Sequence, residues 1–145
     1  MMQLKVSKIF YVLVVIQLFG CKLQEVNFDV SLASHEKVIS SSVDEYFVYV
    51  ADLVFNKKIN VKKGKVVLDT LNMESREILD KDVFFVGKLN ELKNKTGVWD
   101  GFNGSNRIAR IVFIENGEGQ SKPISAKVWG KNGKVIKNVQ YSVIE

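Results

Sequence analysis

The dipeptide Asn132-Gly133 stands between two runs, residues 124–131 and 134–144, in which apolar and polar side chains alternate, and that combination leaves the chain little choice but a hairpin. Asn and Gly take up positive φ with little strain, which both central positions of a type I′ turn require. A two-residue loop sets the register: Lys131 faces Lys134, Trp129 faces Ile136 and Ala126 faces Val139. Alternate residues of a strand point to opposite faces, so Ile124, Ala126, Val128, Val139, Tyr141 and Val143 share one buried side. Trp129 and Ile136 fall on the other, beside Lys127 and Asn138.

The same period of two recurs along the chain. In residues 26–32, Val26, Phe28, Val30 and Leu32 lie on one side, with Asn27, Asp29 and Ser31 on the other. Residues 59–61 and 65–71 read as two strands joined by a turn at Lys63-Gly64, and residues 83–89 as another. Residues 107–115 are apolar on both faces, Ala109, Ile111 and Phe113 against Ile108, Val112 and Ile114, as in a central strand. Asn116-Gly117-Glu118-Gly119 ends it, and Pro123 opens the next segment where no ladder donor is needed. Residues 33–42, with serines at their end, read as a linker; residues 90–97 read as polar loop, and 73–81 as one or two amphipathic helical turns. Residues 46–55 carry two signals. Ser42 and Glu45 resemble a capping box and Val43, Phe47, Val50 and Val54 make a helical stripe, but the crowding of aromatic and β-branched side chains favours a strand.

Seven or so short strands with turns between them imply a mainly β fold, an antiparallel β-sandwich, with α+β as the alternative. Val98-Trp99-Asp100-Gly101, followed by a glycine-bearing loop and a long apolar strand, resembles the tryptophan-aspartate-glycine turn in immunoglobulin-like domains of flagellar hook-capping proteins. The Gly-Tyr step usual in that family is missing, and the likeness supports the immunoglobulin-like sandwich alone.

The first twenty residues have a different character. Lys5 and Lys8 make a positive start, residues 9–16 are unbroken apolar, and the run continues past Gln17 to Gly20. This is the pattern of a secretory signal, and about 12 apolar residues are too few to cross a bilayer as a helix. At its end, Leu18-Phe19-Gly20-Cys21 resembles the lipobox of bacterial lipoproteins, relaxed at Phe19 in the manner of spirochaetes such as Borrelia. The resemblance implies cleavage between Gly20 and Cys21, acylation of Cys21 with palmitate-like chains, and a membrane anchor. Lys22 stands where Asp retains enteric lipoproteins at the inner membrane, so an outer-membrane or surface location is expected. The expected organisation is a lipoprotein signal peptide over 1–20, a lipidated N-terminus with first strand and linker over 21–42, and a β-rich domain over 43–145.

The chain of 145 residues is 46% hydrophobic and 26% charged, enough for one globular core. With a single cysteine it can form no internal disulfide, and Cys21 with His35 cannot supply a zinc cage. Net charge is +5; without Lys5 and Lys8, 19 basic residues face 16 acidic ones. That surplus is too mild for a dedicated nucleic-acid binder, and no nucleic acid is expected as a partner. His35, the only imidazole, falls in the expected linker, and there is neither a Gly-x-Ser-x-Gly elbow nor a glycine-rich phosphate loop. Asp44, Glu45, Asp80, Asp82 and Asp100 are candidates for paired acid and base work, but all sit where turns and strand ends favour acids anyway. Asp100, Asn103, Ser105 and Asn106 offer oxygens without the spacing of a calcium loop. No enzyme activity, metal or cofactor is expected.

Two features suit contact with a partner. Lys57, Lys58, Lys62, Lys63 and Lys65 cluster around one expected hairpin and match an anionic glycan or headgroup, although such an edge also discourages aggregation. Trp129 with Ile136 could anchor a protein interface, unless another part of the chain covers them. The expected function is a lipid-anchored, non-enzymatic binding or interaction module of the cell envelope; the alternative is a structural or assembly lipoprotein facing the periplasm.

Overall fold

In the computed structural model, which describes residues 31–142, each strand pairs with its neighbours in sequence, and the first and last are edges with one partner each. The eight are β1 (Glu36–Ser40), β2 (Lys65–Asp69), β3 (Glu74–Ile78), β4 (Val83–Leu89), β5 (Lys95–Asn103), β6 (Asn106–Glu115), β7 (Ser121–Trp129) and β8 (Val135–Gln140). All pairs are antiparallel, so one open sheet runs β1 to β8 in order. Helix α1 (Glu45–Phe55) joins β1 to β2 and covers one face of the sheet. The fold is mainly β and antiparallel, as expected. It is sandwich-like in having two layers, the second of them a helix. Gly20, Cys21, Val143 and residues 26–30 of the first expected strand lie outside the described residues.

α1 corrects the reading of residues 46–55 as a strand. Asp44 is the N-cap, its carboxylate accepting from Tyr46 N at 2.8 Å, and Asn56 closes the other end in a left-handed conformation, φ 52°. Phe47, Val50, Ala51 and Val54 form a stripe buried on the sheet, and packing of such a stripe outweighs poor helix propensity. Phe47 stacks on Phe85 at 4.0 Å between ring centres, tilts against Trp99 at 5.5 Å and meets Phe113 edge-on at 6.0 Å. Glycines on the inner side of β4 and β5 make room for these rings. A Cβ on Gly87 would lie 2.4 Å from the Trp99 ring, and one on Gly101 2.5 Å from Phe85.

Other local expectations are corrected too. The stretch 33–42 is not simply linker, since it holds β1, and the sheet therefore starts before residue 43. The stretch 73–81 holds β3 in place of helical turns, because Ser75 and Glu77 alternate inward against Gly87 and Phe85. Trp99-Asp100-Gly101 lies within β5 and not at a turn, and that strand starts at Lys95, inside the expected 90–97 loop. Residues 59–61 form no strand. The Asn132-Gly133 hairpin forms, but only Gly133 has positive φ, 75°. Gly133 N donates to Gly130 O and Gly130 N to Lys134 O, which is a type I turn closed by a glycine bulge and not a type I′ turn. Ala126 faces Val139 as expected, but the bulge leaves Trp129 opposite Val135, with Ile136 out of register.

Because strand direction alternates, the sheet has two distinct ends. Residues 31–35 lead into β1 at what we call the near end, where the β2–β3, β4–β5 and β6–β7 turns also lie. The β3–β4, β5–β6 and β7–β8 turns lie at the far end, together with the segment from α1 to β2.

Candidate functional site

The five lysines are brought to the far end by α1. Lys57, Lys58 and Lys62 are exposed on the segment following the helix, whereas Lys63 and Lys65 are half-buried where it turns into β2. The turn there is closed by Gly64 N donating to Val61 O, and no hairpin forms within the cluster itself. The cluster is also larger than expected. Lys131, on the β7–β8 turn, holds its ammonium 5.4 Å from the centre of the Phe55 ring, one residue before the C-cap of α1. The exposed Lys131 and Lys134 thus lie at the same end as Lys57 and Lys58, and Lys131 packs on the last turn of the helix just before them. Asp80 and Asp82, exposed on the β3–β4 turn, are at the same end.

Trp129 and Ile136 do not form the expected facing pair. Trp129 is half-buried on the helix-free face, with the Lys127 ammonium 5.5 Å from its ring, and Ile136 is exposed at the bulge. Further along that face, β4 and β5 line a groove of about 760 Å³ whose walls include Val86, Val98 and Phe102. Arg110 closes one side through a two-pronged contact with Asp100, both distances 2.8 Å, and the carboxylate holds the guanidinium pKa above its usual value. That contact occupies both oxygens of Asp100, the residue that headed the calcium-like loop.

The carboxylates considered for catalysis fall at three places, the start of α1 for Asp44 and Glu45, the β3–β4 turn for Asp80 and Asp82, and β5 for Asp100. Asp44 caps α1, Asp100 holds Arg110, and Asp80 and Asp82 belong to a turn. The acid that sequence reasoning missed is Glu77, which is 2% exposed and points from β3 under the start of α1. It accepts from Asp44 N and pairs with Lys95 at 3.1 Å, while Lys95 also reaches Asp44 at 2.9 Å. Lys95 lies 4.9 Å from the Phe47 ring centre, so the ion pair sits against the aromatic core. Burial pushes the Glu77 carboxyl above the usual range, and Lys95 opposes that rise. The only hint in sequence is Glu77 sharing a strand face with Ser75.

Beside this pair, the start of α1 and the β4–β5 and β6–β7 turns enclose a hollow of about 500 Å³ at the near end. Ser121 Oγ is buried in its wall without a hydrogen-bond partner. Tyr46 and Tyr141 hydroxyls meet at 2.9 Å, and burial followed by that bond raises the Tyr46 pKa. Asp44, in the lining of the hollow, caps α1 and pairs with Lys95, so the arrangement holds the helix start in place. His35, at 3.8 Å from Asp69, gives its carbonyl to Thr70 and ties residues 31–35 to the β2–β3 turn. Among the described residues no His, Cys, Asp and Glu cluster could hold a metal, and no helix is long and apolar enough to cross a membrane. Comparison with known protein families, curated proteins and solved structures finds no match to this chain.

Proposed function

We propose that the protein is a lipoprotein of the cell envelope, probing its surroundings as a non-enzymatic binding module whose far-end lysines engage an anionic glycan. The lipobox-like Leu18-Phe19-Gly20-Cys21 supports the anchor, and with it an outer-membrane or surface location. The observation that carries the binding reading is the convergence of Lys57, Lys58, Lys131 and Lys134 at the end of the sheet opposite residues 31–35. A domain tethered through Cys21 holds those lysines away from the anchoring surface, where a sulfated or carboxylated polymer meets them. Several ammonium groups on one end attract such a polymer without demanding a shaped pocket.

The test uses the mature protein in detergent micelles. Intact mass should show a chain that starts at Cys21 and carries acyl groups. Retention on a sulfated-polysaccharide resin should fall to lower salt in Lys57→Glu, Lys58→Glu, Lys131→Glu triple variants and stay unchanged in Lys127→Glu, a lysine of the sheet face. Equal retention of both variants defeats the glycan reading, and an unmodified Cys21 defeats the anchor.

A further inference from the structure

The near end carries the apolar side chains that the fold leaves most open. Among the exposed large hydrophobic residues, Leu71, Leu92 and Met73 have the greatest exposure, 73%, 65% and 60%. Single exposed apolar residues are ordinary on any protein. These three are different in position: Leu71 and Met73 are on the β2–β3 turn and Leu92 is on the β4–β5 turn, so all project from tips at one end. Leu32, also exposed, precedes β1 at that same end.

The tips are held in shape. Asp69 accepts from Leu71 N at 2.8 Å, from Asn72 N at 3.2 Å and from Asn72 Nδ2 at 2.8 Å. In the β4–β5 turn, Asn90 and Asn94 both donate to Gly119 O of the neighbouring β6–β7 turn. Met73 and Lys93 occupy left-handed conformations, φ 52° and 65°, which ordinary side chains adopt at a cost. A bilayer interface is a natural partner for fixed loops with outward leucines and a methionine, because such side chains gain by leaving water at shallow depth.

The chain itself says which surface lies there. Thr70 N and Oγ1 both donate to His35 O, at 2.9 and 2.7 Å, which fastens residues 31–35 beside the Leu71 tip. From Ser31 back to Cys21 is about ten residues, a reach of about 35 Å at most when extended, and less in any other conformation. Resting on the lipid-anchor reading above, we infer that the near end docks on the bilayer, with Leu71, Met73 and Leu92 inserted into its interface. The protein then stands upright with its lysines outward, in place of swinging freely on its tether.

The experiment uses the lipidated protein in phosphatidylcholine and phosphatidylglycerol vesicles, with one added thiol, Leu71→Cys, Leu92→Cys or Asn132→Cys, bearing a polarity-sensitive dye. Dye at 71 and 92 should shift to the blue and be quenched by nitroxide-labelled lipid, whereas dye at 132 on the far end should do neither. If the protein floats with vesicles and dye at 71 and 92 behaves as in buffer, the docking inference is overturned and the anchor stands. Quenching at all three positions overturns the upright orientation. If the protein fails to float and carries no acyl mass, the anchor reading falls, and the docking inference with it.

Discussion

The near end and the far end are built from the same turn and finished with different chemistry. The β4–β5 and β7–β8 connections are both five-residue reversals in which the first N–H bonds the last carbonyl, Asn90 to Asn94 at 2.8 Å and Gly130 to Lys134 at 2.7 Å. At the near end such tips carry Leu92, with Leu71 and Met73 on the next connection; at the far end they carry Lys131 and Lys134. Strand pairing is therefore indifferent to which chemistry a tip presents. A meander sorts odd and even connections to opposite ends without further help, so two surfaces can differ sharply while one backbone plan serves both.

Helix α1 spans from the near-end hollow to the far-end lysines, and removing its anchor should damage the comparison most. Phe47→Ala deletes a ring that is 0% exposed and touches Phe85, Trp99 and Phe113. Loss of about 3–5 kcal/mol is expected from such a truncation. Urea unfolding should show it as a lower midpoint, while Tyr49→Ala, on the exposed side of the same helix, should cost far less. Similar losses from both would contradict the packing described. Salt should separate the ends next. Raising ionic strength from 0.1 to 1 M shortens the screening length from about 10 to about 3 Å. Far-end retention on a sulfated resin should vanish over that range, whereas dye quenching at Leu71→Cys should persist because apolar insertion is not screened.

How much of this was legible in sequence depended on how far each determinant lies from its partner. The strand signal of residues 83–89 and the two-sided apolar run of 107–115 are local, and β4 and β6 appear there. Residues 46–55 show both a 3.6-residue stripe and strand-forming side chains, and only the sheet that Phe47 stacks on decides between them. Glu77 needs Lys95, on another strand, before it can be understood as a buried ion pair. Lys131 gives no sign in sequence that it will sit over Phe55. The expected facing of Trp129 and Ile136 failed for a smaller reason, a single bulged residue that no alternation pattern encodes.

The ion pair beneath α1 supplies a pH test of the near-end framework. Burial raises the Glu77 pKa in the folded state, so between the ordinary glutamate value, about 4.3, and the raised value the folded protein binds more protons than the unfolded chain. Stability from this group is present below that window and is lost as pH rises through it. Glu77→Gln should flatten the corresponding decline in a series of urea midpoints against pH. A decline of unchanged slope would mean that another group titrates there.

The smallest effect exchanges one residue between the two turns. Lys93 and Gly133 occupy the same position of the same reversal, with φ 65° and 75°. A lysine in that conformation is strained, while glycine gains flexibility in the unfolded chain, so the net advantage of glycine is about 1 kcal/mol. Lys93→Gly should raise the near-end turn's contribution by about that amount, and Gly133→Lys should lower the far-end turn's by a similar amount, about 1 kcal/mol each in urea unfolding. Opposite signs of comparable size would establish that the backbone treats the ends alike. If Lys93→Gly instead destabilised the free protein, the Lys93 side chain would have to hold the tip by a contact exceeding its strain, and the two turns would no longer be equivalent.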